Sequence, residues 1–258
     1  MRNSKNKLLF FAGSLVITSS FIMTSCKSTS YTNTSINAKN IDVTTEMGSD
    51  KNMETFINPY RNHIDEDLSK VISYSPVAMD KSKGKWQSTI GNLFAEATLE
   101  EVNPIFKSRY GKDIEICMLN HGGIRSIISE GNVTTRTAFE VMPFENSAVV
   151  VELKGTQIKE LAEYVIAEEK AHPLAGIIIT IDSKKQIKNI KINNQDLDLN
   201  KTYYVVTNDY LALGGDNMKF FTKGEKHIMD YKLRNVLLAY FQKNNPLPVI
   251  TTQRIIEE

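Results

Sequence analysis

Twice in this chain an apolar, strand-like run empties into a polar turn built on paired glycines, and little else in the sequence restricts its folding as strongly. The first is Leu119-Asn120-His121-Gly122-Gly123-Ile124-Arg125, after the apolar run Ile114 to Leu119. The second is Val206-Thr207-Asn208-Asp209-Tyr210-Leu211-Ala212-Leu213-Gly214-Gly215-Asp216. Lacking Cβ atoms, paired glycines let the backbone pass close to another segment or a ligand and expose amide donors. Asparagine and arginine beside the first turn add directed hydrogen bonds. A carboxylate held beside glycines, as Asp216 is, suits a vicinal diol, because it can accept from both hydroxyls. Each motif taken alone also fits a plainer role, a tight turn for the first and a hairpin loop with a solvated acid for the second.

The rest of the apolar pattern frames these turns. Further strand candidates are Ala148 to Leu153, Gly176 to Ile181, Ile187 to Ile192 and Tyr203 to Thr207. Asn193-Asn194 before Asp196 reads as a turn between short strands. Helical periodicity covers Pro59 to Tyr74, Thr89 to Val102, Lys154 to Glu169 and Lys232 to Lys243. Pro246-Leu247-Pro248 followed by Val249 to Ile256 predicts a last edge strand. Helices and strands mix without a regular βαβ alternation, so the predicted class is α+β. Hydrophobic residues make up 41% of the chain, enough for one core. The expected folded part, residues 55–258, has an ordinary domain size of roughly 200 residues.

The N-terminus has a different character. Arg2, Lys5 and Lys7 precede an apolar run from Leu8 to Met23, the layout of a secretory signal peptide and shorter than a comfortable membrane span. The run ends in Met23-Thr24-Ser25-Cys26, which resembles a bacterial lipobox, where cleavage leaves a diacylglycerol on the cysteine sulfur. Residues 1–25 are then the signal peptide and Cys26 the lipidation site. With two cysteines in the chain, lipidated Cys26 leaves Cys117 no partner, and no disulfide framework is expected. Residues 26–54 are rich in Ser, Thr, Asn and charge with no apolar period, so they read as a flexible tether. A coil of roughly 30 residues spans about 30 Å root-mean-square. The expected location is the outer membrane, facing the periplasm, because Lys27-Ser28-Thr29-Ser30 lacks an acidic export run. A formal net charge of +1 argues against a nucleic-acid polymer as partner.

A third cluster lies between the two glycine turns. In Val141-Met142-Pro143-Phe144-Glu145-Asn146, proline fixes the backbone and can present the phenylalanine from a loop. In this order the three clusters resemble the 5'-nucleotidase C-terminal domain, with its Asn-x-Gly-Gly-Ile-Arg turn, its Pro-Phe loop and its Asn-Asp-aromatic-Leu-Ala-x-Gly-Gly-Asp segment. The likeness extends to Gly91-Asn92-Leu93 and Leu153-Lys154-Gly155, and covers nearly all of the folded part. The resemblance implies a mixed-sheet α+β fold and a substrate site. Phe144 and Tyr210 would clamp a nucleobase, Asp216 would hold the ribose hydroxyls, and Arg125 would bind the ribose or phosphate side. Asn120 and Gly122 would meet the base and sugar edges. Relatives of this type often carry an arginine before the Gly-Asn helix; here the stretch is Lys83-Gly84-Lys85-Trp86-Gln87, where a lysine can substitute only as a point charge.

The resemblance also implies what this chain lacks. Full-length 5'-nucleotidases place the domain after a metallophosphatase domain whose paired metals need converging His and Asp ligands. The four histidines here, His63, His121, His172 and His227, stand in no such motif. The expectation is therefore no catalytic residue, cofactor or metal site in this chain, with divalent metals in a separate metallophosphatase partner. The ligand would be a nucleoside or nucleotide, and the system would break down nucleotides outside the cytoplasm. Two alternatives stand beside this reading: a free-standing nucleoside-binding lipoprotein serving uptake, and a retained fold used for adhesion or scaffolding.

Overall fold

The computed structural model describes residues 31–258, so the expected signal peptide and the lipidation site at Cys26 lie outside the described residues. The chain divides into two units, Met1–Lys51 and Asn52–Glu258. In the first, residues 31–44 are exposed without regular structure, and a short 3-10 turn follows at Thr45–Met47. The second carries the secondary structure of an α+β domain. Among the described residues no helix is long and apolar enough to cross a membrane.

A mixed five-stranded sheet forms the centre, in the order β10 (Lys226–Lys232), β4 (Ser147–Lys154), β9 (Thr202–Asn208), β2 (Ile116–Met118), β5 (Leu174–Ala175). Its strands alternate between two buried faces, as the period of two requires when both sides of a sheet are covered. Ala148 and Val150 of β4, Cys117 of β2 and Val206 of β9 join one cluster with α2 (Thr89–Tyr110) and α6 (Leu233–Lys243). Val149, Val151, Leu153, Ile116, Met118 and Val205 face the other cluster, with α4 (Gly155–Glu168) and a second sheet. That sheet runs β11 (Ile255–Glu257), β6 (Ile177–Ile181), β7 (Ile187–Ile192), β8 (Gln195–Asp196). A two-stranded ladder, β1 (Val71–Ser75) with β3 (Gly131–Thr134), leads into the short α3 (Thr135–Val141).

Several sequence expectations shift by a turn or change type. Helical periodicity over 59–74 gives way to α1 at Lys51–Ser69, after which Val71–Ser75 pairs antiparallel with β3. The β1 backbone finds its hydrogen bonds across the ladder, a partner about sixty residues away that local periodicity does not register. The helix expected to end at Val102 continues through Pro104 to Tyr110, because fully buried Phe106 anchors the added turns in the core. It stops at Gly111, whose φ of 68° is left-handed and whose N–H donates to the Lys107 carbonyl. The expected last strand from Val249 shrinks to β11, which pairs parallel with β6. Asn193 and Asn194 do form the β7–β8 turn, with φ of 49° and 65°.

Register decides where function can sit. Strands β2 and β9 are parallel neighbours, Ile116 opposite Val205 and Cys117 opposite Val206. Their carboxyl ends therefore open at the same edge, and each runs on into its glycine turn, β9 through the single-turn α5 (Asp209–Ala212). Strand β4 is antiparallel to β9 with Ala148 opposite Asn208, which brings the loop before β4 to that edge too. Crevices outside the carboxyl ends of parallel strands are recurrent ligand sites in open sheets.

Candidate ligand-binding cleft

At that edge lies a cleft of about 460 Å³. Asn120, Gly122, Phe144, Tyr210 and Asp216 line it, so five of the six side chains or backbones singled out from sequence meet in one place. Gly123, Met142, Asn146 and Asn208 complete the wall. The sixth, Arg125, sits at the margin. It is exposed, with its guanidinium 5.9 Å from the centre of the Phe144 ring.

The two aromatics are not core residues. Phe144 is 42% exposed and Tyr210 48%, in a domain whose other phenylalanines are mostly packed away. The Tyr210 ring rests on the glycine turn: a Cβ built on Gly215 would come within 2.5 Å of two ring atoms. Glycine at 215 is thus a space requirement, which the sequence motif carries without explaining.

Asp216 is held on four sides. Its Oδ2 accepts from Asn120 Nδ2 at 2.8 Å and its Oδ1 from the Tyr210 hydroxyl at 2.8 Å. Its own N–H donates back to the Tyr210 oxygen at 3.1 Å, and its carbonyl accepts from the Tyr164 hydroxyl at 2.8 Å. Burial, then the neighbouring Glu168 and Asp216, push the Tyr164 phenol up to about 12, so it remains a donor throughout the physiological range. The backbone at Asp216 is left-handed, φ 50°, a conformation that needs such support in a non-glycine residue.

The Pro-Phe loop is fixed by two residues that sequence reasoning missed. Arg234, on α6 and 9% exposed, donates from Nε to the Met142 carbonyl and from Nη2 to the carbonyls of Pro143 and Phe144. Its Nη1 meets Glu145 at 2.7 Å, and its guanidinium lies 4.3 Å from the Phe139 ring centre. Asp209 ties the same loop to the second glycine turn, accepting from Asn146 Nδ2 at 2.7 Å, from the Ser147 N–H at 3.2 Å and from the Tyr210 N–H at 2.9 Å. A signal for Asp209 existed, since it sits inside the motif. Arg234 had none: it lies about ninety residues downstream on an ordinary amphipathic helix.

Lysines behave differently from expectation. Lys85 pairs with Glu257, which also accepts from Trp86 Nε1 at 2.6 Å, and neither Lys85 nor Lys83 lines the cleft. Besides Arg125, Lys81 stands against the first turn, its Nζ donating to the Ile124 carbonyl at 2.6 Å. Burial and the nearby Arg125 charge lower its pKa from the ordinary lysine value. Lys81 therefore braces the turn that carries Asn120.

Gly122 and Asp216 also line a second pocket, of about 410 Å³, together with His172, which is 4% exposed. Its Nδ1 accepts from the His121 N–H at 3.3 Å. Burial, then proximity to His121, lowers it to about 4, so the imidazole is neutral at pH 7. Among the described residues no three His, Cys, Asp or Glu side chains gather where they could hold a metal ion.

Comparison with known proteins agrees with this architecture. The chain is 28% identical over 200 residues to the trifunctional nucleotide phosphoesterase protein YfkN of Bacillus subtilis, covering 71% of this chain and 13% of that protein. It is 28% identical over 219 residues to the protein UshA of Yersinia enterocolitica, covering 81% of this chain and 38% of that one. It thus spans well under half the length of these relatives. Among solved structures, the 5'-nucleotidase precursor from Thermus thermophilus shares the fold, with a TM-score of 0.67 at 22% identity, covering 79% of this chain and 42% of that one. The family described as 5'-nucleotidase, C-terminal domain, matches residues 69–223, more than half of the chain and all three clusters of the cleft. The chain belongs to the 5'-nucleotidase C-terminal domain family.

Proposed function

We propose that this chain recognises nucleosides and nucleotides on behalf of a separate metallophosphatase chain, in nucleotide breakdown outside the cytoplasm. The observation that carries the reading is the cleft itself, where two half-exposed aromatics and one anchored carboxylate share a wall. A base stacks between Phe144 and Tyr210, an interaction worth about 1–3 kcal/mol per base and tolerant of base identity. The Asp216 oxygens accept from the ribose diol. Asn120 donates one Nδ2 hydrogen to Asp216, which positions the carboxylate, and together with Gly122 meets the base and sugar edges. Arg125 at the margin meets the phosphate side.

Hydrolysis requires more than this cleft offers. Phosphomonoester cleavage is among the slowest uncatalysed reactions, and relatives of this class use paired metals and an activated water. Aromatic faces, a carboxylate and an arginine bind a nucleotide without generating a nucleophile. The divalent metals belong, in this reading, to the partner chain. A lipid on Cys26 and the tether up to about residue 50 hold the pair at the outer membrane, on the periplasmic side.

The test is calorimetric titration of the purified protein with adenosine, AMP and UDP-glucose. At least one should bind, and Phe144→Ala should weaken that binding by about 1–3 kcal/mol with an unchanged unfolding midpoint. AMP turnover should appear only when a metallophosphatase chain is added. Failure of all three ligands to bind, or a Phe144→Ala protein that binds as well as wild type, would overturn the reading.

A further inference from the structure

Tyr210 carries a hydroxyl that stacking does not use, and the structure gives that hydroxyl two bonds to a single residue. It donates to Asp216 Oδ1 at 2.8 Å and accepts from the Asp216 N–H at 3.1 Å. Phenylalanine at this position would keep the ring on Gly215 and lose both contacts. Resting on the nucleoside reading above, we infer that the Tyr210 hydroxyl is a specificity-determining group that sets the Asp216 carboxylate to select ribose over sugars lacking the diol.

A carboxylate offers about four acceptor positions, two on each oxygen. Asn120 Nδ2 takes one on Oδ2 and the Tyr210 hydroxyl takes one on Oδ1. One position is left on each oxygen, which matches the two donors of a cis-diol. The two bonds also stop the carboxylate from rotating, so its free lone pairs keep a fixed direction. That matters here because Asp216 stands on a left-handed backbone, φ 50°, followed by Asn217 at φ 62°, in a short 3-10 turn. The Tyr164 hydroxyl bonded to the Asp216 carbonyl steadies the backbone. Asn120 and Tyr210 steady the side chain, one from each glycine turn. The same ring that forms a wall for the base thereby orients the group for the sugar, and base binding and sugar selection become mechanically linked.

The experiment compares adenosine with 2',3'-dideoxyadenosine by calorimetric titration of wild type, Tyr210→Phe, Asp216→Ala and the double variant. Wild type should prefer adenosine. Tyr210→Phe should weaken adenosine about fivefold, the scale of one hydrogen bond, and leave the dideoxynucleoside unchanged. In the Asp216→Ala background the same change should have no effect on adenosine, because the hydroxyl acts through that carboxylate. Equal weakening of both ligands by Tyr210→Phe would make the hydroxyl a packing or folding group and overturn the inference. So would an undiminished preference for adenosine, and so would an increased one, which would mean that the phenol competes with the sugar. If wild type binds neither ligand, the nucleoside reading itself fails and the selectivity falls with it, a result distinct from wild-type binding with undiminished discrimination in Tyr210→Phe.

Discussion

Replacing Arg234 by lysine tests whether the aromatic loop is held from beneath. All three guanidinium nitrogens are engaged: Nε with the Met142 carbonyl, Nη2 with the carbonyls of Pro143 and Phe144, Nη1 with Glu145. Lysine keeps the charge but brings one nitrogen on a flexible stem, with no planar fork to span four acceptors. The Glu145 side chain is 69% exposed, so its pair contributes little. The cost comes from the carbonyls. Hydrogen bonds from a charged donor are worth about 1.5–3 kcal/mol each and do not add fully, so losing two of three predicts about 2–4 kcal/mol of destabilisation. Phe144 follows the freed loop, and an affinity loss of about tenfold for a bound nucleoside corresponds to about 1.4 kcal/mol. Urea denaturation gives the first number and calorimetry the second. Glu145→Gln is the control and should shift either by less than about 1 kcal/mol. An Arg234→Lys protein with the wild-type midpoint and wild-type affinity would show that the loop needs no such support.

Three further outcomes follow from the geometry. Gly215→Ala should drive its methyl into the Tyr210 ring, built at 2.5 Å, costing about 1–3 kcal/mol of stability and weakening nucleoside binding; an unchanged midpoint in denaturant would show that the ring moves freely. Histidine normally titrates at 6.5 and buried His172 at about 4, so between these values the unfolded chain binds a proton that the folded chain does not. The His172 contribution to stability should therefore fall by about 3 kcal/mol as pH drops from 6.5 to 4; His172→Gln should flatten that part of the profile, and an identical slope in the variant would refute the assignment. Metabolic labelling with a palmitate analogue should mark the wild-type protein and not Cys26→Ala, and a labelled variant would end the lipid-anchor proposal.

What the sequence determined by itself was local chemistry. The glycine pairs, the Pro-Phe loop and the Asn193-Asn194 turn are set by what named residues permit or forbid locally, close approach at Gly215, left-handed backbone at Gly214, Asn193 and Asn194, and a fixed φ at Pro143, and those residue types are visible in one dimension. The continuous apolar runs Ala148 to Leu153 and Tyr203 to Thr207 marked strands, and the structure covers both faces of each, alternate side chains facing two cores. Three things waited for tertiary structure. One was β1, a strand only because β3 supplies its hydrogen-bond partners. Another was the extension of α2 through Pro104, where burial of Phe106 outweighs the proline's missing donor. The last was the scaffold behind the cleft. Arg234 and Lys81 act by donating to backbone carbonyls, and every residue has a carbonyl, so no residue type announces the partner. Their roles exist only once the parallel pairing of β2 with β9 has brought the two glycine turns and the aromatic loop to one edge of the sheet.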